Sequence, residues 1–268
     1  MPPSIAIIGY GEVGQIWAEA LRAGGAPVAT YDILFGQPVA AARVARAGDL
    51  GVRIAANAAD AADGAQIVIS AVTADQARAV AEEAAGYLRP GQTFFCINSA
   101  APETKIAAAA AITPSGAHFV EGAVMATVPG PGLGVPILGG GVHAPDLAAK
   151  LNPLGMNITP VAGGTGRASA MKLCRSIVIK GLEAIMIQSR ESARHWDVEA
   201  EVFASLARSY PGMDWPELAE KMHGRVVLHG RRRSAEMREA AAMTDAIGLG
   251  DSLCRGIADV QAAFAGKK

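Results

Sequence analysis

Ile5-Ala6-Ile7-Ile8 is an apolar run of strand length that passes directly into Gly9-Tyr10-Gly11-Glu12-Val13-Gly14, and Val13 to Ala23 then reads as a helix. A strand, three glycines at these offsets and a helix leave the backbone few options. Gly9 permits the tight turn out of the strand, Gly11 lets the backbone approach a pyrophosphate, and Gly14 lets helix and strand pack closely. The helix start directs free N–H groups and a positive partial charge at the same place. Val28-Ala29-Thr30-Tyr31 reads as the next strand, and Asp32 ends it, 18 residues after Gly14. An acid there is placed to accept hydrogen bonds from both hydroxyls of an adenosine ribose. Together these features predict a dinucleotide site built from Gly9, Tyr10, Gly11, Glu12, Val13, Gly14 and Asp32. The blander reading is that the glycines only shape a turn and Asp32 only caps a strand. Asp32 also repels a 2′-phosphate, and Ile33-Leu34-Phe35 offer no Arg or Lys to hold one, so NAD is expected rather than NADP.

The rest of the first half keeps this texture. Strands are expected at Val52–Ile54, Ile67–Val72, Thr93–Ile97 and His118–Val120, with Ala-rich helical stretches between several of them. Short apolar strands alternating with helices predict a parallel sheet covered on both faces, and right-handed crossovers make it doubly wound. Around Pro129 the pattern breaks, and the Gly- and Pro-rich run to Gly141 reads as a loop followed by a short strand. Val161-Ala162-Gly163-Gly164-Thr165-Gly166 is a second break, which places the expected boundary between a domain at 1–164 and one at 165–268. From Ala168 the reading is helix after helix. Ala168–Arg194 forms one long helix, Tyr210–Pro216 interrupts the run, and two more helices follow.

Composition narrows the function classes. Hydrophobic residues make up 51% and charged residues 18% of the 268, which excludes disorder. Lys and Arg number 24 against 25 Asp and Glu, so no basic excess exists to hold nucleic acid. The mean hydropathy of +0.25 comes from Ala and Gly, and no uninterrupted apolar stretch reaches the ~18 residues that span a bilayer. Met1-Pro2-Pro3-Ser4 has no basic character and Ile5–Ile8 is too short for a signal-peptide core. Cys96, Cys174 and Cys254 show neither paired nor metal-like spacing, so they read as packing residues in a reducing, cytoplasmic compartment. The five histidines show no ligand spacing and no metal is expected; His118 borders a strand, and His195 and His223 read as exposed.

Four segments carry a resemblance to a known superfamily: Gly9–Gly14, Asn98-Ser99-Ala100-Ala101-Pro102, Glu121-Gly122-Ala123-Val124, and Gly166-Arg167-Ala168-Ser169-Ala170-Met171-Lys172. In them the chain resembles the β-hydroxyacid dehydrogenase and 6-phosphogluconate dehydrogenase superfamily over nearly its whole length. Its C-terminal part resembles a less characterised branch, through Arg175-Ser176, Lys180-Gly181-Leu182-Glu183-Ala184 and His229-Gly230-Arg231-Arg232-Arg233. The resemblance implies an α/β, doubly wound Rossmann-type domain followed by an all-α C-terminal domain, and hydride transfer between NAD and a small, carboxylate-bearing metabolite. It implies that Lys172 is the proton donor and acceptor, with Ser99 and Ser176 as further catalytic candidates. Val72, Thr73 and Asn98 are expected to border the cofactor. Ser99, Val124, Met125 and Arg175 are the expected substrate contacts. The Ala-rich helical domain implies a homodimer.

Departures from the superfamily pattern mark where the chemistry differs. Ser176 stands where an asparagine is usual, Met125 where a serine is, and Ala100 where threonine or glycine is common. Ile179 replaces the glutamate of 6-phosphogluconate dehydrogenase, which argues against its acid-assisted decarboxylation and against 6-phosphogluconate as substrate. An imine reductase on the same scaffold and a non-catalytic NAD-binding module are the alternative readings. Ser99 has a plain alternative as cap of the helix beginning near Pro102. Arg175 and Lys180, candidates for a substrate's anionic group, have one as surface or ion-pair residues; Arg231-Arg232-Arg233 reads as a solvated face, with reach into a partner subunit's cleft to meet a carboxylate as the alternative.

Overall fold

A computed structural model describes residues 1–267 and divides into two compact units, Met1–Lys172 and a second that begins at Leu173. The first unit opens with strand β1 (Ile5–Ile8), helix α1 (Glu12–Ala23), β2 (Val28–Tyr31), α2 (Ala41–Asp49), β3 (Arg53–Ile54), α3 (Ala58–Ala62) and β4 (Ile67–Ser70). It continues with α4 (Ala77–Ala85), β5 (Thr93–Cys96), α5 (Pro102–Ile112), β6 (His118–Val124), β7 (Pro136–Gly140), α6 (Ala144–Leu151) and β8 (Asn157–Pro160). Helix α7 (Arg167–His195) begins in this unit and runs on into the second, which adds α8 (Glu199–Ser209), α9 (Trp215–Ala246) and α10 (Ser252–Phe264).

The eight strands form one sheet in the order β3-β2-β1-β4-β5-β6-β7-β8. The order reverses direction between β1 and β4, the crevice where doubly wound sheets bind ligands. Alternate residues feed opposite faces. Ile5, Ile7, Ile67, Ile69 and Phe95 join Trp17 and Leu21 of α1 and Leu147 of α6 in one core. Ala6, Ile8, Val68, Phe94 and Cys96 join the small faces of α3, α4 and α5 in the other. Burial on both faces is why these strands read as unbroken apolar runs.

The sheet departs from the all-parallel expectation at one pair, because β7 runs antiparallel to β6 while every other neighbour is parallel. The link from Met125 to Val135 contains no α-helix to carry a crossover, so the chain turns back on itself. Strand β4 stops at Ser70 and β5 at Cys96, short of the expected ends at Val72 and Ile97, whereas β6 extends to Val124. Strand β8 went unread in the sequence: at the sheet edge it buries only Ile158, so it shows no apolar run.

The expected long helix is α7, 29 residues without interruption. In the second unit, Asp214 caps α9 by accepting a hydrogen bond from Glu217 N at 3.0 Å, with Pro216 in the first turn. Helices α9 and α10 approach closely at Gly230, where a Cβ would overlap the Gln261 carbonyl oxygen of α10.

Candidate active site

The three glycines of the first turn are required for three different reasons. Gly9 has φ +98°, and a Cβ there would lie 2.6 Å from Ala71 O. At Gly14 a Cβ would overlap the Gly9 carbonyl. Nothing lies within 4 Å of a Cβ built on Gly11, so no packing demand accounts for that glycine. No side chain caps α1 at this end. Open space over uncapped helical N–H groups fits the diphosphate of a dinucleotide. A groove of about 550 Å³ starts at Gly11 and Glu12 and is bordered by Arg43 and Arg46 of α2, basic side chains that the residues directly after Asp32 do not provide. Arg46 is held by Glu19 at 2.5 Å.

Asp32 accepts hydrogen bonds from Tyr10 N at 2.6 Å and Leu34 N at 2.9 Å. It therefore fastens the glycine turn to the end of β2. A carboxylate has about four acceptor positions, so this leaves capacity for ribose hydroxyls. Tyr10 is buried with its ring edge on Phe35, 5.7 Å between centroids, which fixes the loop from beneath.

Past the carboxyl end of β4, Val72 is half-buried and Thr73 exposed. Past β5, Asn98 is buried and donates from Nδ2 to Ser70 Oγ at 2.9 Å, while its Oδ1 is buried without a hydrogen-bond partner. Beneath this loop lies a residue that sequence reading passed over. Lys105, on α5, is fully buried and donates from Nζ to Cys96 O at 2.7 Å and to Cys96 Sγ at 3.2 Å. Its one signal was a cation set directly before the unbroken apolar run Ile106–Ile112 of the same helix. Ser99 does not cap α5, whose N-cap position is Ala101 with no side-chain bond. Its hydroxyl instead accepts from Lys172 Nζ at 2.5 Å. Val124 and Met125 are half-buried at the end of β6, and Met125 N donates to Pro136 O.

The structure thus brings together Ser99 and Lys172, which lie 73 residues apart. Lys172 stands in the second turn of α7, and the first turn is held by Glu121, a fully buried residue of β6.

In the second unit, Ser176 is buried and donates to Glu236 Oε1, and Lys180 Nζ donates to Ser176 Oγ at 3.1 Å and pairs with Glu236 at 3.1 Å. Burial pulls the Lys180 pKa down, and Glu236 opposes that shift. Arg175 is exposed. Three expectations need correction here. Arg231 and Arg232 face solvent, but Arg233 turns inward onto the fully buried Glu183, because a buried carboxylate requires a partner. Cys174 is exposed rather than packed, since its position on α7 faces outward, whereas Cys96 and Cys254 are buried. His223 is half-buried against Phe264, at 6.2 Å between ring centroids.

A family model described as the NAD binding domain of 6-phosphogluconate dehydrogenase matches residues 4–163, and one described as a domain of unknown function (DUF1932) matches residues 193–264. No curated protein sequence matches the chain. Among solved structures, a conserved hypothetical protein from Sinorhizobium meliloti 1021 is 39% identical, with 98% of this chain and 88% of that one covered and a TM-score of 0.85. Conserved protein MTH1747, of unknown function and described as structurally similar to 3-hydroxyacid dehydrogenases, is 30% identical over 97% of this chain and 96% of its own, with a TM-score of 0.79. The fold is also that of Mycobacterium tuberculosis 3-hydroxyisobutyrate dehydrogenase, at 20% identity, 100% and 95% coverage and a TM-score of 0.79. A Streptomyces aurantiacus imine reductase shares the fold at 20% identity, 97% and 93% coverage and a TM-score of 0.61.

Proposed function

This chain belongs to the family of the NAD binding domain of 6-phosphogluconate dehydrogenase, and from that membership we propose that it is an NAD-dependent oxidoreductase interconverting a hydroxyl and a carbonyl on a small, anionic metabolite. The observation that carries the proposal is the hydrogen bond from Lys172 Nζ to Ser99 Oγ at 2.5 Å, which sets a proton-carrying cation beside a hydroxyl at the strand ends. A nicotinamide dinucleotide, when bound, supplies the hydride chemistry. Residues Gly9 to Gly14 and Asp32 hold its diphosphate and ribose, and Val72, Thr73 and Asn98 border its ring. Lys172, as neutral amine, takes the proton from the substrate hydroxyl during oxidation, and as ammonium returns it to the carbonyl oxygen during reduction. Ser99 holds Lys172 and, with Val124 and Met125, meets the substrate. Further along α7, Arg175 takes the substrate's anionic group, and Ser176 acts within its bonds to Glu236 and Lys180.

NAD is proposed over NADP because Asp32 keeps a carboxylate at the ribose. Arg43 and Arg46 beside Gly11 make this a point for measurement. A homodimer is proposed on the exposed apolar residues Val178, Leu182 and Ile185, which share one face of α7. Three free thiols fit a reducing, cytoplasmic setting.

The decisive experiment measures reduction of NAD and of NADP with 3-hydroxy acids, sugar acids and cyclic amines, for the wild type and Lys172→Ala. Turnover of a hydroxy acid with NAD is expected, with a loss of about 10²- to 10⁴-fold in the variant. Turnover of amines alone would move the assignment to imine chemistry. Full activity in Lys172→Ala would reject Lys172 as the proton carrier.

A further inference from the structure

Glu121 is fully buried on β6, and its neighbour across the antiparallel pair is Gly140. A Cβ on Gly140 would overlap the Glu121 carboxyl group, so the glycine provides the slot in which that side chain lies. There the carboxylate accepts three hydrogen bonds: from Ala168 N at 3.0 Å, Ser169 N at 3.4 Å and Ser169 Oγ at 2.6 Å. The two amides belong to the first turn of α7, where backbone donors have no partner within the helix. The chain enters that turn through Gly166 at φ +93°, a conformation that favours glycine, with Ile106 only 3.2 Å from where a Cβ would be. Three residues beyond Ser169, Lys172 reaches Ser99.

We propose that Glu121 is a positioning residue that acts through Lys172. By closing the first turn of α7 it sets the height and rotation at which the Lys172 ammonium meets Ser99. This rests on the reading of Lys172 as proton carrier. A helix whose first turn loosens changes the direction of every side chain in it, and misplacement by about 1 Å can cost on the order of 10²-fold in rate. Glutamine in place of Glu121 has the same shape but only one acceptor oxygen. It therefore leaves at least one of the three donors facing an NH₂ group. The arrangement also accounts for two of the family-like segments: Glu121-Gly122-Ala123-Val124 supplies the cap, and Gly166 to Lys172 supplies the helix that it caps.

The test compares Glu121→Gln, Ser169→Ala and Lys172→Ala with the wild type, using the hydroxy acid that is turned over. It reads kcat, KM, NADH affinity by fluorescence and the thermal midpoint. Glu121→Gln is expected to lower kcat about tenfold or more with KM and NADH affinity within about twofold, and Ser169→Ala to lower kcat less in the same pattern. A second readout needs no turnover: the NMR resonance of ¹³C-methylated Lys172, identified by its loss in Lys172→Ala, is expected to shift in Glu121→Gln. Wild-type kcat and an unmoved resonance in Glu121→Gln, with Lys172→Ala inactive, would overturn the inference alone. Losses in kcat, KM and NADH binding that track the folded fraction would also overturn it, leaving a structural role. An active Lys172→Ala would reject the premise instead.

Discussion

Gly11 and Gly14 are three residues apart on one turn and have opposite physical characters. Gly14 is glycine for the protein's sake, since any Cβ would meet the Gly9 carbonyl. Gly11 has φ −72°, which any residue adopts, and open space where its side chain would be. The expected outcome of Gly14→Ala is a loss of about 1–3 kcal/mol in denaturant unfolding, from overpacking. Gly11→Ala is expected to unfold within about 0.5 kcal/mol of wild type and to weaken NADH binding about tenfold or more, because the methyl group occupies the approach to the helix N-terminus. A Gly11→Ala variant that binds NADH normally would remove the dinucleotide from this turn. Asp32 shows the same layering of roles, since its carboxylate secures Tyr10 and Leu34 before any ribose is considered.

At the scale of elements, α7 carries Lys172 near its start and a buried ionic network along the rest of its length. Glu183 on α7 is held by Arg233 of α9 and, at 3.2 Å, by Gln261 of α10. Three helices of the second unit therefore meet at one carboxylate with no exposed surface. Arg233→Met leaves that charge without its closest partner and is expected to destabilise by on the order of 3 kcal/mol. Glu183→Met combined with Arg233→Met is expected to recover most of the loss, because removing both charges removes the desolvation cost. Urea melts of the single and double variants, monitored by helical circular dichroism, check this, and additive losses would contradict it. The same network explains why one residue of the triple-arginine run departs from the solvated-face reading that Arg231 and Arg232 follow. Charge runs usually face solvent, but helix geometry turns the third residue of this one inward.

At the scale of the whole molecule, exposed Val178, Leu182 and Ile185 recur at helical spacing on α7. A second copy of the chain is the proposed cover. Val178→Glu with Ile185→Glu is expected to move the sedimenting mass from that of two chains to that of one, 27.4 kDa. A wild type that sediments as a single chain would reject the dimer. The sequence determined the doubly wound class, the helical second half and the glycine turn unaided, though not the antiparallel β7 or the edge strand β8, because glycine offsets, apolar run lengths and a following acid are local facts about neighbouring residues. Helix α7 was legible for the same reason, whereas Ser99 and Lys172 became candidates only through the resemblance of their segments to the superfamily. Only the tertiary structure decided that their side chains meet, that Ser99 serves Lys172 rather than capping α5, and that Glu121, Gly140 and Ser169 form one cap. It also decided that Lys105 lies buried under the Asn98–Ser99 loop. Those contacts join residues far apart in the chain, and a buried charge looks like an exposed one until packing supplies its partner.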